Sequence, residues 1–262
     1  MWYMICKKIL GVMLLGLSVA SSSCLPARTP LPPLDTPVPS ETPTPTATVI
    51  WFPPTATPTA FPTPEVTPTF NYKTDLGEVI FQDDFSDGKG WQLGRTGAGS
   101  VALGKNELTV ALSEPHAYLS SLLEQPIPSD SYAEITASPT LCRGADEYGL
   151  LVRAASSSDF YRFALTCDGQ VRVDRLAGGA ASSPQPPVFS EAVPAGSPST
   201  SRLAVWAKDK EMRYFVNDIY QFSVNDPLLL SGNLGVFARS GGELAVTVSF
   251  SDLVVREVRA NP

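Results

Sequence analysis

The 262-residue sequence contains one histidine and four cysteines, and that scarcity excludes several common ways of building a site. A His-based metal cluster or a Ser-His-Asp triad needs an imidazole with partners, and His116, directly after Pro115, has none discernible. There is no Walker-type or dinucleotide-type glycine loop; Gly94, Gly97 and Gly99 read as a turn before a strand. No window carries a long apolar stripe at helical spacing. Lys and Arg number 19 against 26 Asp and Glu, for a formal net charge of −7, and the basic residues form no cluster or stripe. Nucleic acid is therefore not an expected partner, because phosphate backbones are held by clustered cations.

What is present begins with an export signal. Lys7 and Lys8 precede a short apolar stretch over residues 9–20. That stretch falls short of the roughly 20 residues a membrane-spanning helix needs, so it reads as a signal peptide. Ser21-Ser22-Ser23 then lead to Cys24, an ending that resembles a bacterial lipobox, although Ser21 stands where such motifs usually carry Leu. We read residues 1–23 as a lipoprotein-type signal peptide and Cys24 as the lipidation site. Two acyl chains on one cysteine meet the two-signal requirement for stable anchoring. Cleavage after Ala20, and an uncleaved anchor starting at Trp2, are the alternatives.

Residues 24–76 read as a stalk. Pro and Thr dominate, as in Thr42-Pro43-Thr44-Pro45 and Thr55-Ala56-Thr57-Pro58. Proline removes backbone donors and fixes φ, so neither helix nor sheet propagates there. Trp51, Phe52 and Phe61 are unusual in a spacer.

Residues 77–262 form the expected domain. Short β-prone runs recur between turn residues, at the spacing of a sandwich or barrel: 79–85, 107–112, 117–123, 132–140, 148–153, 160–166, 170–176, 202–207, 212–216, 220–224, 234–238 and 244–258. Asp168-Gly169 and Asn217-Asp218 read as two-residue hairpin loops, and Lys208-Asp209-Lys210 as a third reversal. Tyr161, Phe163 and Leu165 alternate with Arg162, Ala164 and Thr166, predicting one buried and one wetter face. Cys142 and Cys167 flank the 148–166 hairpin at similar heights, and an oxidising compartment makes them a disulfide.

The stretch Phe81-Gln82-Asp83-Asp84-Phe85, with Gly90-Trp91, resembles the opening of concanavalin A-like, laminin-G-like jelly rolls. Residues 148–153, 160–176, 214–218 and 248–255 resemble later strands and turns of that family, which includes 3-keto-disaccharide hydrolase-like relatives. The resemblance implies an all-β, antiparallel sandwich of two sheets, with the first and last strands adjacent and a concave face that often binds glycans.

Catalysis has little support. Glycosidases of this superfamily carry a Glu-x-Asp-x-x-Glu strand, which the sequence lacks, and no catalytic residue is assigned. Arg153, Arg162, Arg172 and Trp206, on strand positions that the alternation turns outward, are the expected ligand-binding set, with an aromatic platform for a sugar's C–H face and guanidiniums for its hydroxyls. Asp83, Asp84 and Asp252, on strands the resemblance makes neighbours, are the candidate ligands of a structural calcium ion. The expected function is a non-catalytic, surface-anchored binding module for carbohydrate or another extracellular ligand. A glycan-processing hydrolase and a purely structural envelope module are the alternatives. Replacing Cys24 with Ser is expected to change the size of the mature product and release it from membranes. A variant that fractionates and migrates like the wild type removes the lipid anchor from consideration.

Overall fold

The computed structural model describes residues 70–242 and 244–259. Cys24, the signal peptide and residues 24–69 of the stalk lie outside the described residues.

Antiparallel strands alternate apolar and polar residues, and two sheets close over their apolar faces. The strands are β1 (Leu76–Asp83), β2 (Gly94–Thr96), β3 (Gly99–Leu103), β4 (Leu108–Leu112), β5 (Tyr118–Leu122), β6 (Ser131–Leu141), β7 (Gly144–Ser156) and β8 (Asp159–Cys167). They continue as β9 (Gln170–Ala177), β10 (Ala180–Phe189), β11 (Ser201–Lys208), β12 (Glu211–Val216), β13 (Ile219–Asn225), β14 (Asn233–Arg239) and β15 (Val246–Val258). One sheet runs β13-β12-β11-β6-β15-β4-β3-β2, with β1 paired to β15; the other runs β10-β9-β8-β7-β14-β5. The first and last strands are thus neighbours, as the resemblance implies. Between the sheets, Leu108, Val110 and Leu112 of β4 meet Tyr161, Phe163 and Leu165 of β8, Tyr214 of β12 and Phe250 of β15.

β2 and β3 fall where Gly94, Gly97 and Gly99 read as a turn before a strand, and two further departures have a clear physical reason. β10 carries Pro184, Pro186 and Pro187, a composition read as loop. It survives because it is an edge strand whose register shifts skip the prolines: Ser182, Gln185 and Val188 pair with β9, while the prolines do not. The second departure is β1, which starts at Leu76 and is preceded by packed chain. Residues 70–75, assigned to the stalk from composition, lie on the outer face of the larger sheet. Tyr72 stacks on Tyr220 with ring centroids 3.8 Å apart, and the Trp206 indole donates to the Thr74 carbonyl at 2.8 Å.

The Asn217-Asp218 loop is a two-residue turn with both residues at positive φ, and Val216 pairs directly with Ile219. The β8–β9 loop is not. A two-residue loop at Asp168-Gly169 would set Arg162 opposite Arg175. Instead the Gly169 N–H donates to the Thr166 carbonyl, the Gln170 N–H to the Thr166 hydroxyl, and Leu165 pairs with Val171. The register moves by one residue and Arg162 faces Asp174.

Cys142 and Cys167 are joined as a disulfide, their Cα atoms 5.7 Å apart and 25 residues apart in sequence. It ties the end of β6 in one sheet to the end of β8 in the other. A cross-link closing a loop of that length contributes roughly 3 kcal/mol through the entropy of the unfolded chain. The Cys142→Ser/Cys167→Ser double variant is expected to lose about that much in a urea titration. An unchanged midpoint would show that the cross-link adds nothing.

Candidate functional site

Register places the site. Across the smaller sheet, β5, β14, β7, β8 and β9 align three rows of residues on the face turned away from the core. One row reads Tyr118–Arg239–Glu147–Thr166, the next Ser120–Phe237–Gly149–Ala164–Arg172, and the third Leu122–Gly235–Leu151–Arg162–Asp174. The middle row is low at its centre. A Cβ on Gly149 would sit 2.0 Å from the Phe163 carbonyl oxygen, so nothing larger fits that crossing, and Ala164 adds only a methyl.

Charged groups converge over this hollow. Arg162 donates to Asp174 Oδ2 at 2.6 Å and lies 4.0 Å from Glu147 Oε2. Arg172 reaches Asp174 Oδ1 at 2.5 Å and Glu147 Oε1 at 3.3 Å, and Arg239 reaches Glu147 Oε2 at 3.3 Å. The Ser183 hydroxyl of β10 donates to Asp174 Oδ1 at 2.6 Å. Both carboxylates are buried, whereas the Arg239 side chain is 45% exposed at the rim. Burial alone would raise the Asp174 pKa. Hydrogen bonds from Ser183, Arg162 and Arg172 outweigh it and hold the carboxyl below its usual range.

Beside the charges lies an apolar floor of Leu151, Phe160, Ala164 and Phe237. The Arg162 guanidinium sits 5.6 Å from the Phe237 ring centroid, and Tyr118 stacks on the same ring at 5.8 Å. This face is therefore not the wetter one expected from alternation: charged residues and rings bury one another. Two polar atoms here are buried without a hydrogen-bond partner among the described residues, the Tyr118 hydroxyl and Arg162 Nε. Burial raises the Tyr118 pKa, opposed by Ser120 and Arg162. Ser120 is close enough to influence the hydroxyl without forming a hydrogen bond of good geometry.

Of the four residues expected to bind a ligand, the structure brings together Arg162 and Arg172 only. Arg153 is 3% exposed. Its backbone takes φ 52° where the β7–β8 register breaks, and the guanidinium turns in to donate to the carbonyls of Asp209 (2.6 Å), Leu229 (3.3 Å) and Ser129 (3.4 Å). It clamps three loops at one end of the sandwich. Trp206 is 2% exposed, on the other sheet, covered by the 70–75 segment and by the Arg213 guanidinium 4.0 Å above its ring. Neither lines a ligand surface.

The calcium expectation is corrected as well. Asp83 accepts the Phe85 N–H at 2.7 Å and the Trp91 indole at 2.7 Å, which fixes Trp91 in the core beside Phe85. Asp84 caps the Ser86 N–H, and Asp252 accepts the Ser251 hydroxyl. Among the described residues no three His, Cys, Asp or Glu side chains group to hold a metal ion. His116 is exposed in the turn before β5.

Sequence reasoning missed Glu147, Asp174, Arg239 and Tyr118. Asp174 was hidden by the one-residue register error at the hairpin, Arg239 by β14, which reaches β7 through a long connection, and Tyr118 by β5, which pairs in turn with β14.

No family model and no curated protein matches the chain. Among solved structures, similarity extends to a Bacillus subtilis protein of unknown function with a galectin-like fold, at 13% identity and a TM-score of 0.56, covering 71% of this chain and 99% of that one. The catalytic domain of an endo-1,3-beta-glucanase (laminarinase) from Thermotoga petrophila matches at 10% identity and a TM-score of 0.50, covering 71% and 99%. The GH43 protein BlXynB from Bacillus licheniformis matches at 11% and 0.51, with 67% of this chain spanning 39% of that one. The fold is a concanavalin A-like β-sandwich. In this sandwich the smaller sheet's outer face carries the charged and aromatic rows.

Because the folded-state pKa of Asp174 is depressed, its contribution to stability is full above the unfolded carboxylate value near 3.9 and is lost as pH falls through the folded value. Removing one charge from a buried pair costs about 3 kcal/mol or somewhat less, because Arg172 keeps partial solvent access. Asp174→Asn should accordingly be destabilised at pH 7 and converge on the wild type at acid pH. Parallel stability curves from pH 7 to 2.5 would refute the assignment.

Proposed function

We propose that this chain is a non-catalytic carbohydrate-binding module, exported and held at the cell surface through Cys24, which binds on the outer face of the smaller sheet. The observation that carries the reading is the pair of partly exposed guanidiniums, Arg172 and Arg239, both held by the buried Glu147 carboxylate beside the Phe237 and Tyr118 rings. Guanidiniums fixed by carboxylates present the remaining N–H groups in a set direction, and aromatic faces suit a sugar's C–H surface.

The same geometry disfavours a hydrolase at this face. A glycosidase needs one carboxyl with a raised pKa to protonate the leaving oxygen. Asp174 is shifted the other way, and arginines hold both carboxylates.

Arg239→Ala separates binding from folding. Its side chain is 45% exposed at the rim, so truncation should leave thermal stability nearly unchanged while weakening glycan binding on an array about fivefold or more. Arg172→Ala should weaken it at least tenfold, and Trp206→Phe should leave it alone. Array binding indifferent to Arg239 and Arg172, or absent altogether, overturns the proposal.

A further inference from the structure

A second concave surface lies on the opposite sheet, where the chain enters the domain. Residues 70–73 run beside the β12–β13 hairpin, and between them is a cleft of about 720 Å³ lined by Phe70, Tyr72, Phe215, Ile219 and Tyr220 with Asn71, Lys73 and Asp218. Its volume falls in the range of small-ligand sites, which combine apolar walls with a few placed polar groups. Phe70 leans on Tyr72 with ring centroids 4.7 Å apart, yet Phe70 is 69% exposed and Ile219 56% exposed. Large apolar side chains left open around a concavity mark an interaction site more often than isolated ones do.

The polar groups are paired in a particular way. Lys73 Nζ reaches Asp218 Oδ1 at 2.6 Å, with Asp218 half exposed and Arg202 on its other oxygen. Asn71 uses its side-chain oxygen for the Lys73 N–H, leaving its NH₂ donors without a partner among the described residues. The Lys73 ammonium is held in place by the Tyr132 and Phe215 rings, each 5.1 Å from it. The cleft thus offers ring faces, fixed N–H donors and a carboxylate acceptor side by side. A pyranose presents the complementary set: an apolar C–H face rimmed by hydroxyls that both donate and accept.

We infer that this cleft is a second saccharide site, taking a neutral pyranose unit stacked on the exposed Phe70 ring with adjacent hydroxyls bridging Asp218 and Asn71. It shares no residue with the arginine-rich face and lies on the other sheet, so one domain offers two separate glycan contacts.

The test is titration calorimetry of the exported chain with neutral gluco-, xylo- and arabino-hexasaccharides, beside an Arg172→Ala control. Phe70→Ala, at an exposed position that leaves the core intact, should weaken binding at least fivefold. Asp218→Asn should do so about threefold. If Phe70→Ala and Asp218→Asn both bind like the wild type, or the wild type binds none of the three sugars, the inference is wrong. Loss on Arg172→Ala alone would leave the sheet-face reading standing and remove this one; loss on Phe70→Ala alone would do the reverse.

Discussion

Closing two sheets face to face buries one side of each, and in this sandwich the other sides carry too many large residues to stay open. That constraint organises everything outside the central core. The larger sheet turns Tyr132, Trp206 and Phe215 outward, and the entering segment 70–75 covers them with Tyr72 while Arg213 lies over the indole. The smaller sheet turns Leu151, Phe160 and Phe237 outward, and there Arg162 and Tyr118 lie against the Phe237 ring. Apolar burial at about 25 cal/mol per Å² rewards either solution. The second buries two carboxylates almost wholly, Glu147 and Asp174, and the arginines beside them compensate both charges.

Much of the fold was legible because period-two alternation and turn chemistry are local signals. Met212, Tyr214 and Val216 face the core as their spacing predicts, and Asn217-Asp218 makes the turn its residue types favour. The pairing of Cys142 with Cys167 followed from the hairpin between them. β10 was illegible for a physical reason: three prolines argue against a strand, and only its position at the sheet edge, which nothing local reveals, makes them tolerable.

The site was legible in part. Arg162 and Arg172 stand out as charges on an outward-facing pattern, and they do meet. Arg153 shares that pattern and yet points inward, because a break in the β7–β8 register after Val152 reverses the alternation. Trp206 is outward as predicted and still buried, because segment 70–75, whose proline-rich neighbours made it read as stalk, folds over it. Both errors share a cause. Alternation gives the face of a residue, whereas accessibility depends on what a distant segment does to that face.

The two outer faces differ in what they can offer a partner. On the smaller sheet the charges are rigid, cross-braced by five groups, so ligand contact there would cost little ordering of the protein. On the larger sheet the cleft is formed in part by residues 70–73, which continue into the chain leading to the N-terminus. Whatever occupies that cleft therefore touches the segment by which the chain enters the domain. Two weak contacts on opposite sheets, joined through one rigid core, act together on a polymer long enough to reach both, and their combined affinity exceeds either alone without any further interaction.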